Sequence, residues 1–131
     1  MQIQYAYDAE LVLHDGTAVT TSANGSRTHY DVGAAARFPA AAVVEVTAAD
    51  AADANETYDV IIQGSTDSAF TTPIQLGSMT ITRGVTGRRV ILFDNQQAGV
   101  TYRYIRVRFE NGGTTPSISA RVFLSQLFPL S

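Results

Sequence analysis

Two histidines and several acidic residues are the side chains in this sequence that are best suited to bind a metal ion. His14 and Asp15, with Asp8 and Glu10 upstream, would offer one nitrogen and several oxygen ligands. Their spacing matches no metal-binding motif, and the glycine that follows Asp15 makes the segment typical of a turn. His29 lies among polar residues of a predicted strand. We therefore predict no metal site at these positions.

Calcium binding and nucleophilic catalysis also lack support in the sequence. Asp67 and Asp94 stand in polar loops, but the regularly spaced oxygen ligands of a calcium loop are missing. The chain contains many serines and no Gly-x-Ser-x-Gly elbow that would expose one of them as a nucleophile. The sequence thus predicts no catalytic residues and no cofactor, and we interpret the protein as non-enzymatic.

The most informative group of polar side chains alternates with the apolar face of a predicted strand. Its members are Tyr102, Tyr104, Arg106 and Arg108. Arginine and tyrosine are enriched at protein interfaces, so this face would suit the docking of a partner. The alternative is a solvated outer face on which arginines pair with acids across strands, with Arg121 and Glu45 as candidate members.

Both ends of the chain carry apolar side chains, which predict an N-terminal arm over residues 1–10 and a C-terminal tail over residues 125–131. The arm contains Ile3, and the tail contains Phe128 and Leu130. Two interpretations remain open. Either the ends complete the core or edge of the domain, or one end lies on a neighbouring subunit, as a symmetric assembly would favour. Under the second interpretation Phe128 and Leu130 are candidate contact residues.

Composition limits the class of protein. A chain of 131 residues suits one domain, and the absence of cysteine excludes disulfides and thiolate metal sites. A net charge of −3 argues against a nucleic-acid binder, whose affinity depends on a positive field. No apolar run approaches the roughly 20 residues of a membrane helix. The first ten residues do not look like a signal peptide, so we expect neither membrane insertion nor export.

Residues 56–73 show the predicted architecture best. Tyr58, Val60 and Ile62 lie on one face of an extended segment, which is the period-2 pattern of a half-buried strand. Short polar residues at 65–68 favour a turn. After that turn Phe70 can fold back as an apolar plug.

Turn signals divide the rest of the chain into short strands. An Asp-Gly pair at 15–16 predicts a turn, and an Asn-Gly pair at 24–25 predicts a hairpin between strands over 17–22 and 27–32. Residues 88–93 are apolar on both faces, which predicts a strand that is covered on both sides. About eight or nine such strands, without a convincing helix, predict an all-β fold. We expect one domain over residues 1–131, an antiparallel β-sandwich of the jelly-roll type.

The chain resembles the jelly-roll cement, or decoration, proteins that bind the heads of tailed bacteriophages, particularly of short-tailed phages. Four stretches carry this resemblance in order along the chain, and together they cover most of it. They are DAELVLHDGTAVT, YDVGAAARF, VIIQGSTDSAFTTP and YRYIRVRFENGGTTPSISARV. None of them is a catalytic signature, so it is their joint order that supports the resemblance.

The resemblance implies a non-enzymatic structural protein of the virion. Such proteins bind the outside of the capsid in many copies, bridge adjacent subunits of the major capsid protein and stabilise the shell. It also implies a homo-oligomer, a dimer or a trimer, that is present in the host cytoplasm during assembly and on the capsid exterior afterwards. Under this interpretation the candidate capsid contacts are Tyr102, Tyr104, Arg106, Arg108, Phe128 and Leu130.

Two other classes of function share the predicted fold. A tail or fibre component of a virion would have a similar composition. A carbohydrate-binding jelly roll is the second alternative, although the chain has no tryptophan, the usual platform on which sugars stack.

Overall fold

The computed structural model describes residues 2–3, 11–33, 37–126 and 129–130, which form β-strands joined by turns and loops. The longer strands are β2 (Val12–Val19), β5 (Ala40–Ala49), β6 (Thr57–Ser65), β7 (Ile74–Ile81), β8 (Gly87–Phe93), β11 (Tyr104–Gly112) and β12 (Ile118–Gln126). The two-residue strands are β1 (Gln2–Ile3), β3 (Ala23–Asn24), β4 (Tyr30–Asp31), β9 (Gln96–Gln97), β10 (Val100–Thr101) and β13 (Pro129–Leu130). No helix long and apolar enough to cross a membrane occurs in this part of the chain.

Two antiparallel sheets pack face to face. The four-stranded sheet has the order β2-β12-β5-β8, and the five-stranded sheet has the order β3-β11-β6-β7, with β4 pairing beside β3 on β11. The chain crosses repeatedly from one sheet to the other, so that β11 and β12 each insert between strands that come much earlier in the sequence. This is the jelly-roll form of the β-sandwich and confirms the predicted fold class.

Side-chain alternation builds the core between the sheets. Tyr58, Val60 and Ile62 of β6 are fully buried, and Val107 of β11 lies beside Ile62 across the strand pair. From the other sheet, Val44 is equally buried. Burying a side chain of this size contributes about 1.5–3 kcal/mol each, which explains why the period-2 pattern predicts these strands correctly.

The Asp-Gly pair at 15–16 is not a turn, contrary to the prediction. β2 continues through it, and Gly16 and Thr17 together oppose the single residue Ala120 of β12. Gly16 adopts a φ of 98°, which a residue with a Cβ rarely adopts. The same dipeptide signal therefore marks a β-bulge that bends the edge strand.

The predicted hairpin at Asn24 and Gly25 is also wrong. β2 belongs to the four-stranded sheet, whereas β3 and β4 both pair with β11 of the other sheet. Gly25 does not take the positive φ of such a turn. Instead, a Cβ there would lie 2.5 Å from Cγ1 of Val107 and 2.6 Å from the carbonyl oxygen of Leu13. This glycine is needed because the chain passes close between the two sheets.

β8 is covered on one side only. Ile91 and Phe93 are buried against the core, but Leu92 between them is 61% exposed. β8 pairs only with β5 among the described strands, so it is an edge strand. The prediction that both faces of this strand are covered is therefore wrong.

The two ends of the described chain meet each other. Gln2 pairs with Leu130 and Ile3 with Pro129, antiparallel, through the strands β1 and β13. β12 includes Ser125 and Gln126, the first residues of the predicted tail. The rest of the arm and tail predictions, Phe128 included, lies outside the described residues.

Candidate functional site

The tyrosine and arginine face identified in the sequence lies on the outer side of the five-stranded sheet. Tyr104, Arg106 and Arg108 alternate along β11 with the buried Ile105 and Val107 and are themselves half-buried. We call the surface formed by these three outward residues and their cross-strand neighbours on β6 and β7 the outer face. The alternation places the three side chains as the sequence predicts.

Tyr102 is not part of this row, because it precedes β11. Its backbone N–H donates to the carbonyl oxygen of Asn95 at 2.7 Å, and its own carbonyl oxygen accepts from Nδ2 of Asn95 at 2.8 Å. The buried Asn95 also accepts, through Oδ1, the backbone N–H of Phe38 at 2.6 Å. The backbone of Tyr102 is thus held by the buried Asn95 in a loop at the end of the sheet.

Arg106 is held on the outer face by a hydrogen bond and an aromatic ring. Its Nε donates to Oε1 of Gln63 on β6 at 2.8 Å, and its guanidinium carbon lies 4.2 Å from the ring centroid of Phe70. Burial, with the neighbouring charge of Arg108, lowers the pKa of the Arg106 guanidinium. No salt bridge joins Arg106 to a carboxylate among the described residues. Its positive charge is therefore positioned without being neutralised.

Phe70 reaches Arg106 because the loop after β6 folds back over the sheet. Asp67 organises this loop, since its carboxylate accepts from the hydroxyls of Ser65 and Thr71, both at 2.8 Å. Those bonds lower the pKa of Asp67, with the bond from Thr71 contributing most. Phe70 adopts a φ of 52° and is buried, as the sequence predicts, but it covers the outer face and lies outside the core cluster.

Aromatic side chains surround Tyr104. The His29 ring meets the Tyr104 ring edge-on at 5.0 Å between centroids and lies 6.5 Å from the ring of Phe70. Arg103 stacks over Tyr104 at 5.3 Å and forms a two-pronged ion pair with Asp31, at 2.7 and 2.9 Å. The hydrogen bond from Arg103 lowers the pKa of Asp31 to about 2. The pair holds β4 against the start of β11.

Arg108 is neutralised within its own strand. Its Nε donates to Oε1 of Glu110 at 2.6 Å, and its Nη1 donates to Oδ1 of Asn24 on β3 at 3.1 Å. The bond from Arg108 lowers the pKa of Glu110. Arg108 therefore pairs with an acid of its own strand and not across strands as the second interpretation of this face expects, and Arg106 pairs with no acid among the described residues.

The proposed partners Arg121 and Glu45 lie on the other sheet. Arg121 Nε donates to Glu45 Oε1 at 2.9 Å, and Arg88 donates to Oε2 of the same carboxylate at 2.8 Å. These two bonds, that from Arg88 first, lower the pKa of Glu45. This triad is a cross-strand ion-pair network on the four-stranded sheet, and it does not contact the outer face.

The remaining polar candidates do not converge. His14 is buried, accepts the backbone N–H of Ser26 at Nδ1 and lies with Nε2 2.8 Å from the carbonyl oxygen of Thr17, so it fastens the bulged strand β2. No group of three or more His, Cys, Asp or Glu residues that could hold a metal occurs in the described ranges. Leu130 pairs through its backbone with Gln2.

Sequence reasoning missed two members of the site, Gln63 and His29. Gln63 lies on β6 and His29 in the loop before β4. The register that sets Gln63 opposite Arg106 and the contact between His29 and Tyr104 join distant parts of the chain. The alternation of β6 was the only available signal, since it places Gln63 on the side opposite the buried Ile62.

The chain was compared with protein families and with curated proteins. No protein-family model matches the chain. A search of curated proteins likewise found no match.

Proposed function

We propose that this protein is a capsid decoration protein, a non-enzymatic structural component that binds the outer surface of a phage head and bridges subunits of the major capsid protein. The observation that carries the proposal is the outer face, where Arg106 is held by Gln63 and Phe70 and forms no salt bridge with a carboxylate of the described residues. This supports a role in binding a protein surface. The resemblance noted in the sequence supplies the kind of surface.

A face of this kind suits docking because its side chains are already ordered. Arg106 and Tyr104 are fixed by contacts with Phe70 and His29, so little side-chain entropy is lost when a partner covers them. Arginine and tyrosine on a rigid sheet are typical of residues that contribute most to interface affinity. The proposed partner surface therefore presents acidic or carbonyl oxygens to Arg106.

Stabilisation of a shell does not require a strong individual contact. A copy that touches two neighbouring capsid subunits must be released before they separate, and binding to the assembled state shifts the equilibrium towards it. Repetition over a lattice makes the sum large even when each site is weak. The chain itself needs no catalytic residue for such a role.

Copy number in the virion tests the proposal directly. Virions are purified, heads and tails are separated, and the chain is quantified by mass spectrometry against the major capsid protein. The proposal requires hundreds of copies, confined to heads. A few copies in the tail fraction would replace it with a tail or fibre component, and absence from virions together with binding on a glycan array would replace it with a carbohydrate-binding module.

Charge reversal tests the outer face. We expect the double variant Arg106→Glu with Arg108→Glu to reduce binding to undecorated heads at least tenfold. The matched control reverses Arg83, in the loop after β7, and Arg88 on β8, which are both exposed and change the net charge equally. Like Arg108, Arg88 is paired with a carboxylate, that of Glu45, so each double variant breaks one ion pair. Both variants should keep the far-ultraviolet circular dichroism spectrum of the parent. Unchanged binding by the first variant, or equal losses by both, would exclude the outer face as the contact.

A further inference from the structure

The edges of the two sheets differ in how they are protected against pairing with another chain. β2 is bent by the bulge at Gly16, and β8 carries Arg88 and Arg89. The edge opposite β7 in the five-stranded sheet consists of β3 and β4, each only two residues long. Bulges, charges and short strands are the means by which natural sheets prevent edge-to-edge association.

β7 has none of the charges that protect the other edges. It is eight residues long, and every residue from 68 to 82 is uncharged. Among the described residues it pairs only with β6, and no backbone hydrogen bond from a turn or loop reaches its other side. A bulge at Leu76, where Gly77 opposes Ile62 and Gln75 opposes Gln63, interrupts its first half. The regular free edge is therefore Gly77–Ile81, roughly 17 Å long.

The side chains of this edge are arranged for continuation of the sheet. Met79 points towards the core and is only half-buried, while Ser78 and Thr80 are exposed on the outer face. Gly77 sits against β8, where a Cβ would lie 2.8 Å from Cγ2 of Ile91. This close approach fixes the edge in place. On this side the core ends at β7, whose outer backbone groups pair with no other described strand.

We infer that β7 pairs with β7 of a second copy of this chain, antiparallel about a two-fold axis, to join the two five-stranded sheets. A register that sets Met79 opposite Met79 of the second copy places Ser78 opposite Thr80 and Gly77 opposite Ile81. Met79 then continues the apolar layer across the joint, and the Ser78 and Thr80 hydroxyls lie within reach of each other across the strands.

Charge distribution favours a second copy as the occupant. A strand that pairs with itself brings identical side chains together, which only an uncharged strand tolerates without repulsion. The cation nearest to the strand is Arg83. In an antiparallel joint the two Arg83 residues lie at opposite ends, roughly 27 Å apart, so solvent and salt screen their charges from each other. Closed two-fold dimers are also the commonest form of homo-oligomer.

The joint would place two outer faces on one side of a continuous sheet. Each dimer then presents Arg106 twice, at a fixed spacing, to whatever surface it binds. Such a bivalent arrangement strengthens binding without any new contact when both sites can be engaged. The dimer itself does not depend on the proposed function, because it rests on β7 alone.

Mass measurement tests the dimer. By light scattering after size-exclusion chromatography we expect the purified chain to have twice its single-chain mass of 14.0 kDa. The double variant Ser78→Lys with Thr80→Lys sets lysines opposite each other in the joint and should raise the dissociation constant at least tenfold. The control, Ala18→Lys with Thr21→Lys, adds the same charge at exposed positions near the end of β2 and should remain dimeric.

A cross-linking variant locates the joint independently of charge. The chain has no cysteine, so Ser78→Cys provides a single thiol that a short bifunctional maleimide should link into a dimer. Ala18→Cys should give no cross-linked product. A monomer or a trimer by light scattering, a lysine variant that stays dimeric, or cross-linking that is equal for both cysteine variants would each overturn the inference. None of these results bears on the copy number that tests the proposed function.

Discussion

Gly113 joins two loops at one end of the sandwich, and its replacement by alanine should destabilise the fold for two separable reasons. The residue adopts a φ of 102°, and a Cβ there would lie 2.7 Å from the carbonyl oxygen of Asn55 and 2.8 Å from Cα of Glu56. Asn55 in turn exchanges hydrogen bonds with Thr114, at 2.8 and 3.2 Å. A methyl group would therefore press on backbone atoms that are held in place.

The structure offers a matched control for the first of these effects. Gly33 adopts a similar φ of 108°, but no atom of the described residues lies within 4 Å of the position of its Cβ. Gly33→Ala should therefore reduce the free energy of unfolding by only about 1–3 kcal/mol, the cost of placing alanine in a disfavoured backbone conformation. Gly113→Ala should reduce the free energy of unfolding by the same amount and by a further ~1–3 kcal/mol, because overpacking against neighbours that cannot move costs that much. The difference between the two variants isolates the steric contact.

Urea unfolding at one fixed protein concentration measures both losses. The transition can be followed by circular dichroism and by tyrosine fluorescence, since the chain has six tyrosines and no tryptophan. The slopes of the two variants should match that of the parent, so that midpoints report stability alone. Losses that agree within about 0.5 kcal/mol, close to the usual error of such comparisons, would refute the argument that the close approach at Gly113 matters.

Two further predictions concern a buried hydroxyl and an acidic group. Tyr58→Phe should reduce the free energy of unfolding by about 1–3 kcal/mol, because the Tyr58 hydroxyl donates to the carbonyl oxygen of Asp50 at 2.8 Å and accepts the backbone N–H of Ser117 at 3.1 Å. The control is Tyr30→Phe, because the Tyr30 hydroxyl bonds no described residue. It should change the free energy of unfolding by less than about 0.5 kcal/mol in the same urea assay. The carboxyl carbon of Asp31 should titrate near pH 2 by NMR, and Arg103→Gln should return the pKa towards its usual 3.8. Because the folded pKa is the lower one, the contribution of Asp31 to stability is present above pH 3.8 and is lost as the pH falls towards 2.

The strands with strict alternation were predictable from the sequence alone. Tyr58 with Val60, and Ile105 with Val107, repeat every second residue and are buried as expected. Alternation succeeds because one face of each strand packs against the other sheet, and a shift of one residue would expose every apolar side chain at once. The fold class follows from several such strands with turns between them.

Glycine signals were less reliable because glycine serves several physical purposes. Gly16 and Gly25 both stand in dipeptides that are typical of turns. In the structure the first allows a bulge through its positive φ, and the second allows close approach of Val107 without any positive φ. Which purpose applies depends on what lies opposite the residue in space. That information comes from β12 and β11, which lie far away in the chain, and was not available locally.

The outer face shows the same limit at the level of side-chain chemistry. The sequence identifies Arg106 and Arg108 as neighbours on one face but treats them as equivalent. The structure separates them, since Arg108 is bonded to the carboxylate of Glu110 and Arg106 to the neutral amide of Gln63. An exposed ion pair such as the first adds little to binding, because a partner must compete with a charge that is already satisfied. Arg106 is partly desolvated by burial, stacks on Phe70 and bonds only a neutral group among the described residues, so its charge stays available to an acidic surface. The binding capacity of the face therefore depends on a cross-strand register and a loop conformation, neither of which the alternation of residues on β11 can specify.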